Sequence, residues 1–87
     1  MEAKEISRLI DQTFAAYSAG DLDGFVAGMT QDMYYEDNSG GPLRGRDAFK
    51  NYASGWFNAC SAGKLTPGRK TISGNEAAVE MLFEGTH

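Results

Sequence analysis

A tight corner between two short helices constrains this chain more than any other feature. Residues 3 to 19 place Ile6, Leu9, Ile10, Phe14 and Tyr17 at three- and four-residue steps, which makes one face of a helix apolar. Gly20 stops that helix, and Asp21 is a natural N-cap for the next one. The second helix, near 22 to 29, brings Leu22, Phe25, Val26 and Met29 onto one face. Gly24 and Gly28 weaken it, so it is expected to be short and to pack closely on its neighbour.

The remaining pattern switches from helical to alternating and back. Met33-Tyr34-Tyr35-Glu36-Asp37 reads as a strand, with Met33, Tyr35 and Asp37 on one face and Tyr34 and Glu36 on the other. A glycine-rich loop follows from 38 to 45. A third helix is expected over 46–59, with Phe49, Tyr52, Ala53, Trp56 and Phe57 at helical spacing and Asp47 in the first turn, where it suits the helix dipole. A strand near 64–73 is disturbed by Pro67-Gly68. After a turn at Gly74-Asn75-Glu76, a last strand runs from 77 to 86, with Val79, Met81 and Phe83 alternating against Ala78, Glu80 and Leu82. Two strands joined by so short a turn form an antiparallel hairpin. The order is α-α-β-α-β-β, an α+β fold in a single domain over 1–87. Three strands leave an exposed sheet edge, so further antiparallel strands after His87, or another chain over that edge, are expected.

Composition removes several classes of function. The formal net charge of -4 and the absence of a basic stripe argue against nucleic-acid binding. At 41% apolar residues the chain is hydrophobic enough to fold, yet its 87 residues hold only a modest core. One cysteine, Cys60, excludes a disulfide within the chain and points to a reducing, cytoplasmic setting. No run is long enough to span a membrane, and the polar start at Met1-Glu2-Ala3-Lys4-Glu5 is unlike a signal peptide. No His, Cys, Asp and Glu set has metal-ligand spacing, and the glycines form no phosphate or dinucleotide loop, so neither metal nor cofactor is expected.

Asp37 is the residue on which function turns. A carboxylate where an apolar strand ends either caps the following loop or is a desolvated acid/base. Proton abstraction at neutral pH requires a raised carboxyl pKa, which desolvation supplies. Tyr17, Tyr35, Tyr52 and Trp56 either line a pocket for a flat hydrophobic ligand or fill the core.

Three segments carry a resemblance. Tyr17-Ser18-Ala19-Gly20-Asp21-Leu22-Asp23, then Tyr35-Glu36-Asp37, then Leu43-Arg44-Gly45-Arg46-Asp47-Ala48-Phe49, in this order and at these separations, resemble the SnoaL-like branch of the nuclear-transport-factor-two-like superfamily. The ending Phe83-Glu84-Gly85-Thr86-His87 is similar to the start of a "GTHTG" strand of SnoaL-like proteins. The resemblance implies a cystatin-like cone, in which helices close over a curved sheet and leave an apolar pocket. It covers the N-terminal two-thirds of a complete family domain. Ketosteroid isomerase, a relative, has its general base in a "V-E-D-P" segment, and an ungapped count from Gly20-Asp21 puts Asp37 on that position. The same count puts Thr13 where the isomerase has an oxyanion-donating tyrosine, with Tyr17 one turn further on the same face.

The resemblance thus implies a cofactor-free isomerase or cyclase acting on a small hydrophobic carbonyl compound, polyketide- or steroid-like. Asp37 would be its base and Tyr17 its oxyanion donor, with Phe14, Tyr35, Tyr52, Trp56 and His87 around the pocket. The alternative is a non-catalytic small-molecule-binding or dimerisation module of the same fold. As partners, a small hydrophobic molecule and a second copy are expected, the latter through the sheet with Tyr34 and Leu82 as contacts, and neither nucleic acid nor membrane.

Overall fold

The structure, a computed structural model, describes residues 2–37, 42–59 and 61–86. Helix α1 spans Ala3–Ser18 and helix α2 spans Leu22–Val26. Their junction is closed by two backbone bonds. The Gly20 N–H donates to the Tyr17 carbonyl at 3.0 Å and the Asp21 N–H to the Ala16 carbonyl at 2.9 Å. This pattern needs a left-handed residue just past the helix, and Gly20 supplies it at φ 75°. Asp21 then serves both helices. Its N–H closes α1, while its Oδ1 accepts from the Gly24 N–H at 2.9 Å and opens α2.

Strand β1 (Tyr34–Tyr35) pairs antiparallel with β2 (Leu43–Arg44), and helix α3 (Arg46–Ala59) follows at once. The Gly45 N–H donates to the Met33 carbonyl at 2.7 Å, and the Arg46 N–H to the Gln31 carbonyl at 3.0 Å. The start of α3 is therefore tied to the chain that leads from α2 into β1. β2 falls in the segment expected to be loop. A two-residue strand has no alternation of its own to reveal it, and only the tertiary pairing with β1 makes it a strand.

Strands β3 (Ser61–Ser73) and β4 (Glu76–Thr86) form the expected antiparallel hairpin. Leu65 pairs with Phe83 and Pro67 with Met81, then the register shifts so that Lys70 pairs with Val79 and Ile72 with Ala77. The extra residue of this shift sits at Gly68-Arg69, just after Pro67, and another shift lies between Ser61 and Lys64. One inserted residue switches which side chains of β3 face inward, from Leu65 and Pro67 to Lys70 and Ile72. β4 keeps its odd-numbered residues inward throughout. The bulge is thus what turns Lys70 toward α1, where its Nζ meets Asp11 Oδ1 at 2.6 Å and Ser7 Oγ at 2.8 Å.

A second clamp holds the other end of α1. Ser18 Oγ accepts from the Leu65 N–H at 3.0 Å and donates to the Leu65 carbonyl at 3.3 Å. From Ser7 to Ser18 the helix rises about 16 Å, and from Lys70 to Leu65 the strand covers roughly the same length. α1 therefore lies antiparallel along β3, fixed at both ends. The two hairpins are separate two-stranded sheets among the described residues, so Tyr34 and Leu82 do not share one sheet face as expected. Val26, Phe49 and Ala53 form the buried core, with Leu22, Phe25, Met29, Met33, Tyr35, Leu43 and Tyr52 packed around it. Cys60, His87 and residues 38–41, the loop that an Asp37 cap would close, lie outside the described residues.

The corner yields a test. A methyl group on Gly24 would collide with the Asp21 carboxylate and press on Ala16 Cβ at 3.3 Å, whereas one on Gly28 meets nothing within 4 Å. Gly24→Ala is expected to lose about 1 kcal/mol, the worth of an N-cap, despite alanine's better helix propensity. Gly28→Ala is expected to gain roughly 0.5 kcal/mol. Urea unfolding midpoints of the two variants check the difference in sign.

Candidate functional site

Between the three helices and the β3–β4 hairpin lies an apolar cavity of about 350 Å³. Each wall follows from a local pattern. α1 contributes Phe14 and Tyr17, three residues apart. α3 contributes Phe49, Tyr52, Ala53 and Trp56, spaced so that all lie on one face. β1 turns Tyr35 inward and Tyr34 outward. Leu65, Met81 and Phe83 close the hairpin side, and Phe25 comes from α2. The size falls within the range of small-molecule sites.

The rings are in mutual contact. Tyr17, one of the few buried residues, packs edge-on against Phe57 at 4.6 Å, Phe25 at 5.3 Å and Phe83 at 5.9 Å between centroids. Tyr35 contacts Phe49 at 4.8 Å and Tyr52 at 5.6 Å. Trp56 is half-exposed and meets Phe83 at 6.3 Å, edge-on.

The polar groups of the wall are tyrosine hydroxyls, and two of them meet one carboxylate. The hydroxyls of Tyr35 and Tyr52 both donate to Oδ2 of Asp37, each at 2.7 Å. Asp37 is half-buried and is not itself part of the cavity wall; the two lining phenols connect it to the cavity. Burial, and then the hydrogen bond to Asp37, push the Tyr35 phenol well above its usual value, so Tyr35 keeps its proton and acts as a donor. Glu36 faces the other way and accepts from the exposed Tyr34 hydroxyl at 2.9 Å.

The residues singled out from sequence are distributed as follows. Phe14, Tyr17, Tyr35, Tyr52 and Trp56 line the cavity, Asp37 adjoins it, and His87 lies outside the described residues. Thr13 faces a different groove, and its hydroxyl donates to the Leu9 carbonyl at 2.8 Å. Leu65, Met81 and Phe83 were not expected in the wall. The alternation of β4 already put Met81 and Phe83 on one face, whereas the bulge hides Leu65 from any pattern reading. Among the described residues, no three or more His, Cys, Asp or Glu side chains group as a metal site would, and no helix is long and apolar enough to cross a membrane.

Comparison with known proteins bears on the fold and the family. The model of the SnoaL-like domain matches residues 10–87. A candidate polyketide cyclase from Sinorhizobium meliloti has a solved structure that superposes with a TM-score of 0.80 at 22% identity, over 98% of this chain and 76% of the other. At that identity the likeness speaks for the fold: the α+β cone with helices over antiparallel strands. No curated protein matches the chain.

The raised Tyr35 phenol sets an alkaline limit on stability. Above about pH 10 the unfolded chain releases this proton and the folded chain retains it. The unfolded state then binds fewer protons, so the unfolding free energy falls as pH rises. Tyr35→Phe is expected to flatten that fall and to remove one phenol that titrates above the usual range from the ultraviolet phenolate titration. An unchanged titration curve would mean that Tyr35 is not held as the geometry indicates.

Proposed function

We propose that this chain, which belongs to the SnoaL-like domain family, binds a small hydrophobic carbonyl compound in the aromatic cavity and moves a proton alpha to its carbonyl. Asp37 is the general base of this reading and Tyr17 the donor to the enolate oxygen. The observation that carries it is the carboxylate fixed by two lining phenols beside an otherwise apolar cavity. An acceptor held in one orientation next to a water-poor space is what proton abstraction from carbon requires.

Hydrogen counting supports the division of roles. A phenol has one proton to give. Those of Tyr35 and Tyr52 are both aimed at Asp37 Oδ2 as long as it is a carboxylate. Tyr17 is the remaining tyrosine of the cavity wall. In the forward step the C–H electron pair moves into the enolate, and the proton passes to the Asp37 carboxylate. The resulting acid returns it at another carbon, which amounts to an isomerisation. The same step followed by attack of the enolate carbon on a second carbonyl of the substrate closes a ring. The π bond of that carbonyl opens to an alkoxide, which takes the proton from the Asp37 acid and becomes a hydroxyl. The name of the structural neighbour, a candidate polyketide cyclase, is compatible with this second outcome.

A second reading rests on a specific observation. Asp37 stands outside the cavity wall, and Oδ2 already accepts two hydrogen bonds, as a purely structural carboxylate would. The chain would then be a binding module that recognises the same class of ligand without turning it over.

Deuterium exchange at the alpha carbon of a cyclic enone, followed by NMR, separates the two readings. With Asp37 as base, Asp37→Asn is expected to slow exchange by about 10²–10⁴-fold while ligand affinity stays within a few-fold. Tyr17→Phe, which keeps the ring, is expected to cost about 10²–10³-fold. Exchange at the uncatalysed rate in the unsubstituted protein, with binding intact, would leave the binding-module reading.

A further inference from the structure

A second groove of about 320 Å³ lies along the same face of α1 nearer its N-terminus, lined by Ile6, Leu9, Ile10, Thr13 and Phe14 of the helix, Gly28 after α2, and Asn75 and Ala77 of the hairpin. Phe14 is the one side chain common to this groove and to the main cavity among the described residues. We infer that Phe14 is the specificity-determining partition between the two spaces, setting the greatest ligand length the main cavity accepts, and that the outer groove is the room a longer apolar tail would take. The inference rests on the reading of the main cavity as a ligand site.

Three features support it. No charged side chain lines either space, and Thr13 and Asn75 are the polar members of the outer wall, so both suit an alkyl or fused-ring group. Phe14 is half-buried and has no hydrogen-bonding group, so it contributes to both walls through its bulk alone. The outer groove is also open at Gly28, where an added Cβ would meet nothing within 4 Å. A side chain placed there would occupy the groove without disturbing the main cavity.

Linear methyl ketones of increasing chain length, titrated calorimetrically against the whole chain, test the assignment. While apolar surface is being buried, each added methylene should raise affinity roughly fourfold. In the unsubstituted protein this gain is expected to stop at the length that fills the main cavity. In Phe14→Ala it should continue for further methylenes, and Gly28→Leu added to that variant should bring the limit back. Phe14→Leu, which keeps an apolar side chain in the wall, carries the same test with a smaller extension should the alanine variant not fold. A length limit identical in the unsubstituted and Phe14 variants overturns the partition role. A longer limit that Gly28→Leu does not shorten overturns the route through the outer groove. Failure of every ketone to bind the unsubstituted protein sinks instead the reading of the main cavity on which both depend.

Discussion

The packing of the Tyr17 ring is the contact on which the rest of this small fold depends. It touches rings from α2, α3 and β4, so one side chain joins three of the elements around the cavity to α1. Edge-to-face aromatic pairs contribute about 0.5–1.5 kcal/mol each beyond area burial. Only Tyr17, Val26, Phe49 and Ala53 are buried among the described residues, so three such pairs are a large share of what holds the layers together. Tyr17 reaches this position because Gly20 ends α1 one turn later. The helix corner and the ring contact therefore depend on each other: the corner aims the ring, and the ring keeps α2 against α1.

That arrangement also explains why the middle of the molecule is hollow. Rings that meet edge-on at their rims build a frame rather than a filled layer. The hairpin is fastened along α1 by two clamps, Lys70 at one end of α1 and Ser18 at the other, which fix where it stands relative to α3. The space left between is lined by apolar atoms and opens near Trp56, Met81 and Phe83, all of them exposed. A domain of this size with a modest core does better to fill such a space. Leaving it open is reasonable when a ligand supplies the missing contacts.

How much of this was legible in the sequence depends on how local the cause is. α1, the Gly20-Asp21 corner, α3 and the alternation of β4 are set by residues within a turn or two of each other, and the patterns located them. The inward set of β3 was not legible, because the bulge at Gly68-Arg69 switches its parity halfway and brings in a lysine where an apolar residue would be looked for. β2 escaped because two residues carry no period. At the site, Tyr35 and Asp37 were placed on one face by the two-residue repeat alone. Tyr52 was readable as a wall residue but not as a partner of Asp37, since its hydroxyl reaches the carboxylate across 15 positions that only the packing of α3 on β1 brings together.

The Asp37 cluster shows why fold and family stop short of chemistry. The same two hydrogen bonds orient the carboxylate in either role, and by stabilising its charged form they lower its basicity. What differs is what happens when the carboxyl takes up a proton. A carboxylate accepts from both phenols, whereas a carboxylic acid must itself donate, and one of its oxygens then accepts less readily. Protonation by a substrate would therefore loosen the hold of Tyr35 and Tyr52 on Oδ2 and free a phenol proton toward the cavity at the moment negative charge resides on the ligand. In a purely structural cluster that rearrangement would be a defect. In a base it couples proton uptake to stabilisation of the enolate, with both phenols already in the wall where the enolate would lie.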